Sequence, residues 1–551
     1  MSVYTGITVG PVVGTLQLTS SPAGLWAASS LFSDLTARTL RELCGLGVPV
    51  EDLISPVVTE ENGEIVLPSQ ECEKLRSIGV GMFHDRIILC GAYAAEAALA
   101  ARHVKQELAE MLRQTDGIPL RDPQKLSEWI DAYFRIYVLE QDVPEGVSPI
   151  LRLGRLLSAA ELEPTFPIIE ENNPLLWLFE NVEGGPPYAD GFSTGGRNRA
   201  VRRSYLVSGL KGRWMLRSDA SDSIRDIGSI AAGGSADGKA TQYFAILNSD
   251  GDSMTSVLET LTGPDEIRAY SKKCLQFCAE AAGQILAFSG VPIYAGGDDL
   301  LCLLPLTVEV DGEDRSIFWL IDELRSIFNR VFTEERGRFD GKPSISFGLS
   351  VQHKKSPLFE ALETARQMLD SAKSGSGEKK WPKNAMRMTL RKHSGQQCLL
   401  GVDMLDFPLT DFDSKKTQLS EMDKLLRQLK LGGTDSEGIE CLNSLVYKLE
   451  SAYRPLFLLA LEQAPEQRGR TIRSLFDNLF DNVGQQKYQK FRCALAGLTE
   501  QLADTAAKVR AVVCCGQNES IVEPVFSQLT ALLRVLHFML EKKEGQNDLR
   551  D

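Results

Sequence analysis

Tyr243-Phe244-Ala245-Ile246-Leu247-Asn248-Ser249-Asp250-Gly251-Asp252-Ser253-Met254 and Val291-Pro292-Ile293-Tyr294-Ala295-Gly296-Gly297-Asp298-Asp299-Leu300-Leu301-Cys302-Leu303-Leu304 are the two stretches that decide how this chain folds. Short, very apolar runs end in glycine and aspartate: Tyr243 to Leu247 ahead of Asp-Gly-Asp, and Val291 to Ala295 and Leu300 to Leu304 on either side of Gly-Gly-Asp-Asp. Such runs suit buried strands, and Gly296-Gly297 suits a tight hairpin because glycine takes φ > 0 without cost. A helical period from Asp265 to Phe288 lies between the first strand and the hairpin, followed by a helix from Ile317 to Phe332 and a strand from Ser344 to Val351. A helix from Pro357 to Lys373 and a strand from Asn384 to Arg391 continue the pattern. The order β-α-β-β-α-β predicts a split β-α-β sheet, in which the end of the first strand lies beside the turn joining the next two.

The same order is written earlier in the chain. An extended start from Thr5 to Leu18 precedes a helix from Pro22 to Leu43, strands from Pro56 to Leu67 and Val80 to Leu89, an alanine-rich helix from Tyr93 to Arg113, and a strand at Phe134 to Val138. A helix from Val147 to Ala160, a connection bearing Pro164, Pro167, Pro174, Pro186 and Pro187, and a mobile Gly/Ser/Asp-rich stretch from Ser218 to Ala240 are expected between the sheets. After Leu405 the apolar period is helical throughout, as in Leu419, Met422, Leu425, Leu426 and Leu429, in Leu442, Leu445, Val446, Leu449 and Tyr453, and in Phe526, Leu529, Leu533 and Leu536. The expected class is α+β: two ferredoxin-like domains at 1–145 and 241–400, a helical and irregular connection at 146–240, and a C-terminal helical bundle at 401–551.

The chain has 551 residues, more than one core organises, and 60 Lys+Arg against 74 Asp+Glu leave a net charge of −14. Bulk charge therefore does not hold a polyanion, and any nucleic-acid contact must be local or shared with partners. No apolar run approaches the ~18 residues of a membrane span, and Met1-Ser2-Val3-Tyr4 opens without a basic leader, so a cytoplasmic protein with no membrane association is expected. Eleven cysteines without a C-x-x-C pair predict neither a disulfide framework nor a zinc site.

The topology lets Asp250, Asp298 and Asp299 converge at one sheet rim. Grouped carboxylates repel unless a cation neutralises them, and hard oxygen donors suit Mg²⁺ or Mn²⁺. Two such ions about 4 Å apart clamp the attacking hydroxyl and leaving oxygens of a nucleoside triphosphate. Gly251, Gly296 and Gly297 leave backbone N–H groups open to phosphates, with Asp252, Ser253 and Met254 as flanking contacts. A solvated Gly/Asp turn is the plain alternative for either segment alone; paired segments with apolar flanks favour the metal.

These motifs resemble the large palm-domain subunit of type III CRISPR RNA-targeting complexes, in particular the Cmr (III-B) type. The resemblance runs through Gly10-Pro11-Val12, Leu25-Trp26-Ala27-Ala28-Ser29-Ser30-Leu31-Phe32-Ser33, Asp250 to Met254, Gly296 to Asp299, and Ser344-Ile345-Ser346-Phe347-Gly348-Leu349-Ser350. It continues in His353, Pro357-Leu358, Ala372-Lys373, Lys383-Asn384-Ala385 and His393-Ser394-Gly395. It implies two palm, nucleotide-cyclase-like domains in a subunit that sits with other subunits, guide RNA and complementary target RNA. On target pairing such a subunit converts ATP into an adenylate second messenger, usually cyclic oligoadenylate; some relatives instead transfer AMP to S-adenosylmethionine as co-substrate.

By the same resemblance Asp250, Asp298 and Asp299 hold two Mg²⁺ or Mn²⁺ ions and Lys373 reaches the triphosphate, where a helix-end cation is the plainer reading. Thr255 stands where the family usually has glycine, and the first domain lacks both acidic motifs, so it is expected to be catalytically silent. No HD nuclease is expected, because His84 is the first histidine and His84-Asp85-Arg86 reads as an ion-paired strand start near a sheet edge. The loop with Lys379, Lys380, Trp381 and Lys383 is either solvated or an RNA contact. Two other readings stay open: an idle scaffold subunit on guide and target RNA, and a freestanding diguanylate-cyclase-like enzyme.

Overall fold

A computed structural model describes residues 2–61, 64–66, 80, 83–113, 118–162, 173–181, 227–233, 242–339, 343–374, 383–403, 417–431, 435–480, 486–513 and 522–541. The first sheet contains β1 (Ser2–Gly10), β2 (Leu53–Ser55), β5 (Arg86–Cys90) and β6 (Arg135–Val143) in the spatial order β2-β5-β1-β6, with every pair antiparallel. This is the expected split β-α-β arrangement, with helices at Pro22–Gly45 and Ala94–Arg113. Ser21 caps the first of these, its Oγ accepting from the Gly24 N–H at 3.0 Å, and Pro22 occupies the first helical turn.

The second strand differs from expectation. The sheet takes Leu53–Ser55, while β3 (Thr59–Glu61) and β4 (Glu64–Val66) pair only with each other. Pro56 has no N–H to give a ladder, so pairing stops before it. The third strand begins at Arg86, not Val80, and a helix at Pro123–Tyr133, capped by the Asp122 carboxylate, was not foreseen. Within the stretch expected to be mobile, Ile227–Ala232 forms a helical turn, and Pro174 opens a helix at Pro174–Asn181. Residues 218–226 and 234–240 of that stretch, Pro164, Pro167, Pro186, Pro187, and Lys379, Lys380 and Trp381 lie outside the described residues.

The second sheet has six strands in the order β14-β13-β12-β7-β9-β8. Its members are β7 (Tyr243–Asp252), β8 (Val291–Gly296), β9 (Asp299–Leu304), β12 (Ser344–His353), β13 (Ala385–Arg391) and β14 (Gln397–Asp403). The core β12-β7-β9-β8 repeats the split β-α-β order, and β13 is added parallel to β12 through the Leu358–Ser374 helix. Nine successive residues of β12, Ser344 to Gln352, are buried, so both sheet faces are covered and the strand reads as continuous rather than alternating. A further hairpin of β10 (Thr307–Val310) and β11 (Glu313–Ser316) precedes the Ile317–Val331 helix.

The C-terminal helices bury their apolar stripes among themselves and against this sheet: Leu419, Met422, Leu425, Leu429, Leu442, Leu445, Leu529, Leu533 and Leu536 are all buried. Asp423 fastens the first of them. Its Oδ1 accepts from the backbone N–H of Ser316 at 2.7 Å and from the Ser316 hydroxyl at 2.8 Å, holding the residue that precedes the Ile317–Val331 helix. At the far edge the Gly401 N–H donates to Gln528 Oε1 at 2.7 Å. Among the described residues no helix is long and apolar enough to cross a membrane.

Candidate metal centre

Antiparallel register fixes the site. β7 pairs with β9 from Ala245↔Leu304 to Ser249↔Leu300, so the next residue of β7, Asp250, arrives beside the hairpin that joins β8 to β9. One carboxylate oxygen from each of Asp250, Asp298 and Asp299 lies within 4.8 Å of the others, and all three residues are half-buried. Gly297, with φ of 68°, makes the turn that presents Asp298 and Asp299 together.

Gly251 acts by close approach. A Cβ there would meet Asp298 Cβ at 2.9 Å and Met254 Cγ at 2.8 Å as well as the Asp298 carboxylate itself, so only glycine lets the hairpin pack on β7. Gly296 makes room for the Tyr294 ring, whose Cζ would stand 2.6 Å from an added Cβ. The buried Cys278 thiol donates to the Gly297 carbonyl at 3.5 Å from below.

Lys373 reaches the cluster from the last turn of its helix. Its Nζ donates to the Asp250 carboxylate and to the Gly251 carbonyl, the latter at 3.0 Å. That helix is set by Gly348 of β12, where an added Cβ would run into the backbone of Ala365 and Leu369. Gly348→Ala should therefore push the helix off the sheet. The expected outcome is a loss of about 1–3 kcal/mol, from overpacking, seen as a lower melting temperature, with a higher KM for any triphosphate that Lys373 holds.

Charge is unbalanced at the rim: three carboxylates against one ammonium give −3 + 1 = −2 when all are ionised. Burial, with the charge on Asp250 behind it, pushes Asp298 up to about 6. Burial and the neighbouring Asp298 hold Asp299 well above the usual carboxylate range. Asp299 Oδ1 is buried without a hydrogen-bond partner. Clustered hard oxygens, a net negative charge and an unpartnered buried acceptor fit divalent Mg²⁺ or Mn²⁺.

Because protons compete for the same oxygens, ion binding must release them from both Asp298 and Asp299. The raised value of Asp298 means that protonation costs the metal-free fold nothing below the ordinary carboxylate value, while ionisation destabilises it as pH rises through about 6. The rise in melting temperature on adding Mn²⁺ should thus be small at pH 5 and grow as pH rises past about 6, and a pH-independent rise would contradict this assignment.

Other expected contacts are placed differently. Asp252 is fully buried and turned into the protein, Met254 is 6% exposed, and Ser253, at φ of 58°, starts the short helix Met254–Leu258. Thr255 is exposed on that helix, so its side chain meets no obstacle. The sequence also misplaced His84-Asp85-Arg86. β5 is an inner strand, and Arg86 gives its guanidinium to Ser158 at 2.9 Å and Glu161 at 3.3 Å on the Pro149–Glu161 helix.

His84 and Asp85 instead face the second sheet across a cavity of about 240 Å³ that ends at Asp298. Val57 and Ile88 line it from the first domain, Leu157 from the Pro149–Glu161 helix, and Tyr270, Cys274 and Gly297 from the second domain. Burial pushes His84 down to about 4, leaving a neutral imidazole 3.4 Å from the Ser55 hydroxyl. No motif announces this wall, because it exists only once two sheets meet.

Residues 243–385 match the family model described as Cas10/Cmr2, second palm domain. The chain is 28% identical to the CRISPR system Cmr subunit Cmr2 of Pyrococcus furiosus over 184 residues, which are 29% of this chain and 19% of that relative. A chain of the type III-B Cmr-beta complex bound to cognate target RNA shares the fold with a TM-score of 0.56 at 11% identity, over 86% of this chain and 78% of that one. A Csm1-Csm4 cassette in complex with cA4 aligns with a TM-score of 0.47 at 15% identity, over 97% and 69% of the two chains.

Proposed function

We propose that this Cas10/Cmr2-type chain, whose residues 243–385 match the model of that family's second palm domain, is a metal-dependent nucleotidyltransferase that makes an adenylate messenger from ATP. It would act within a type III CRISPR complex with other subunits, guide RNA and complementary target RNA, as the Cmr-beta relative is found with target RNA. The observation that carries this reading is the convergence of Asp250, Asp298 and Asp299 within 4.8 Å beside Lys373.

The three aspartates would hold two Mg²⁺ or Mn²⁺ ions. Bound there, the ions would lower the pKa of the acceptor 3′-hydroxyl and neutralise charge on the departing pyrophosphate. Two divalent ions turn the local −2 into +2, which a triphosphate offsets and a neutral ligand does not. Lys373, already at Asp250, swings to the triphosphate as a point charge. The acceptor occupies the cavity between the two palms, which ends at Asp298. The hydroxyl oxygen bonds to the α-phosphorus, its proton passes to solvent, and the bond to pyrophosphate breaks.

Transfer of AMP to S-adenosylmethionine would use the same carboxylates with a different occupant of the cavity. The test is mass spectrometry of nucleotides made by the reconstituted complex from ATP and Mn²⁺, with and without target RNA and S-adenosylmethionine. Oligoadenylate produced only with target RNA is expected. Absence of any product under all conditions leaves the scaffold reading, and turnover of GTP by the isolated chain leaves the freestanding cyclase.

A further inference from the structure

Asp250 and Asp252 are two residues apart on one strand and do different things. The Asp250 side chain is 38% exposed at the rim, while Asp252 is wholly buried. Asp252 Oδ2 accepts three hydrogen bonds: from the hydroxyls of Ser344 at 2.8 Å and Ser346 at 2.7 Å, and from the backbone N–H of Asn384 at 2.8 Å. Ser346 Oγ in turn accepts from the Asn384 and Ala385 N–H groups at 3.1 and 3.3 Å. Asn384, in the left-handed region at φ of 64°, accepts at Oδ1 from Arg325 Nε at 3.4 Å, and that arginine is 6% exposed.

This network ties three pieces of chain together. They are the end of β7 that carries Asp250, the start of β12, and the point where the backbone returns after the helix that carries Lys373. Burying a carboxylate is costly unless hydrogen bonds compensate; three of them converge on Asp252 Oδ2, while Oδ1 is buried without a partner and Arg325 reaches the network only through Asn384.

We propose that Asp252 is a positioning residue that sets the spacing of Asp250 from Asp298 and Asp299, not a ligand of metal or nucleotide. The inference rests on reading the three rim aspartates as the metal site. Ser344 and Ser346 are part of the same device: at the start of β12, they are the hydroxyls that face this carboxylate across the β7–β12 pair.

The test is Mn²⁺ titration of the full chain, reading free Mn²⁺ by electron paramagnetic resonance without nucleotide. Asp252→Ala should weaken binding about 10–100-fold, the usual effect of removing an outer-shell partner, and Ser346→Ala should act in the same direction with a smaller effect. Asp252→Asn keeps an oxygen that accepts the same bonds and should stay within a few-fold of wild type, whereas Asp298→Asn should lose binding. Should Asp252→Ala not fold, Ser346→Ala and Asp252→Asn decide alone. An Asp252→Asn variant as defective as Asp298→Asn makes Asp252 a ligand and overturns the inference, as does wild-type affinity in both Asp252→Ala and Ser346→Ala. A wild-type chain that binds no Mn²⁺ overturns the metal reading itself and this inference with it.

Discussion

Replacing Asp298 and Asp299 together by alanine should abolish metal-dependent conversion of ATP, at least about 10³-fold, because ions and the charge stabilisation they supply are lost together, while the metal-free protein melts no lower than wild type. The second half follows from the electrostatics. Two half-buried carboxylates beside Asp250 are pushed up by burial and by one another, so at neutral pH their ionised forms strain the metal-free rim. Removing them relieves that repulsion and leaves the packing of β8 and β9 intact, since neither side chain belongs to the apolar core. The mutant should also lose the rise in melting temperature that Mn²⁺ gives the wild type. Activity within a few-fold of wild type would remove the proposed mechanism; a collapsed melting temperature would mean that the aspartates hold the hairpin and not an ion. Stability purchased by losing function is the expected mark of a site where like charges are held together.

Much of this site is legible in the sequence. Tyr243 to Leu247 and Leu300 to Leu304 are apolar because both faces of the sheet are covered, and Gly297 turns the hairpin as a Gly-Gly pair predicts. Convergence of Asp250 with Asp298 and Asp299 needed only strand order. Period alone failed where a second element decides the outcome. Asp250 and Asp252 share one face by alternation, yet only Asp252 is enclosed, by Ser344, Ser346 and the return of the chain at Asn384. Two serines spaced two apart at the start of β12 were the available signal. Gly348 shows the same limit: glycine in a strand suggests close approach, but that the approaching element is the helix carrying Lys373 is a tertiary fact. The cavity wall of His84 and Asp85 is further still from sequence, since it exists only where the two sheets meet.

Lys373→Met should produce opposite effects in two assays, and that opposition separates its proposed role from the plainer one. In the free chain the Lys373 ammonium holds the Asp250 carboxylate and the Gly251 carbonyl, so a metal ion must compete with it for Asp250. Methionine preserves the length and packing of a side chain that is 20% exposed and removes the competitor. Mn²⁺ should then bind the nucleotide-free variant more tightly than wild type. ATP should suffer the reverse, because losing one charge-assisted contact to a phosphate costs about 1.5–3 kcal/mol, or roughly 10–100-fold in KM. If Lys373 only complements the dipole at the end of the Leu358–Ser374 helix, the variant should lose about 0.3–1 kcal/mol of stability and change neither binding curve. Weaker Mn²⁺ binding together with weaker ATP binding would show instead that the ammonium orients Asp250 for the ion, and the exchange of Lys373 from carboxylate to triphosphate would have to be abandoned.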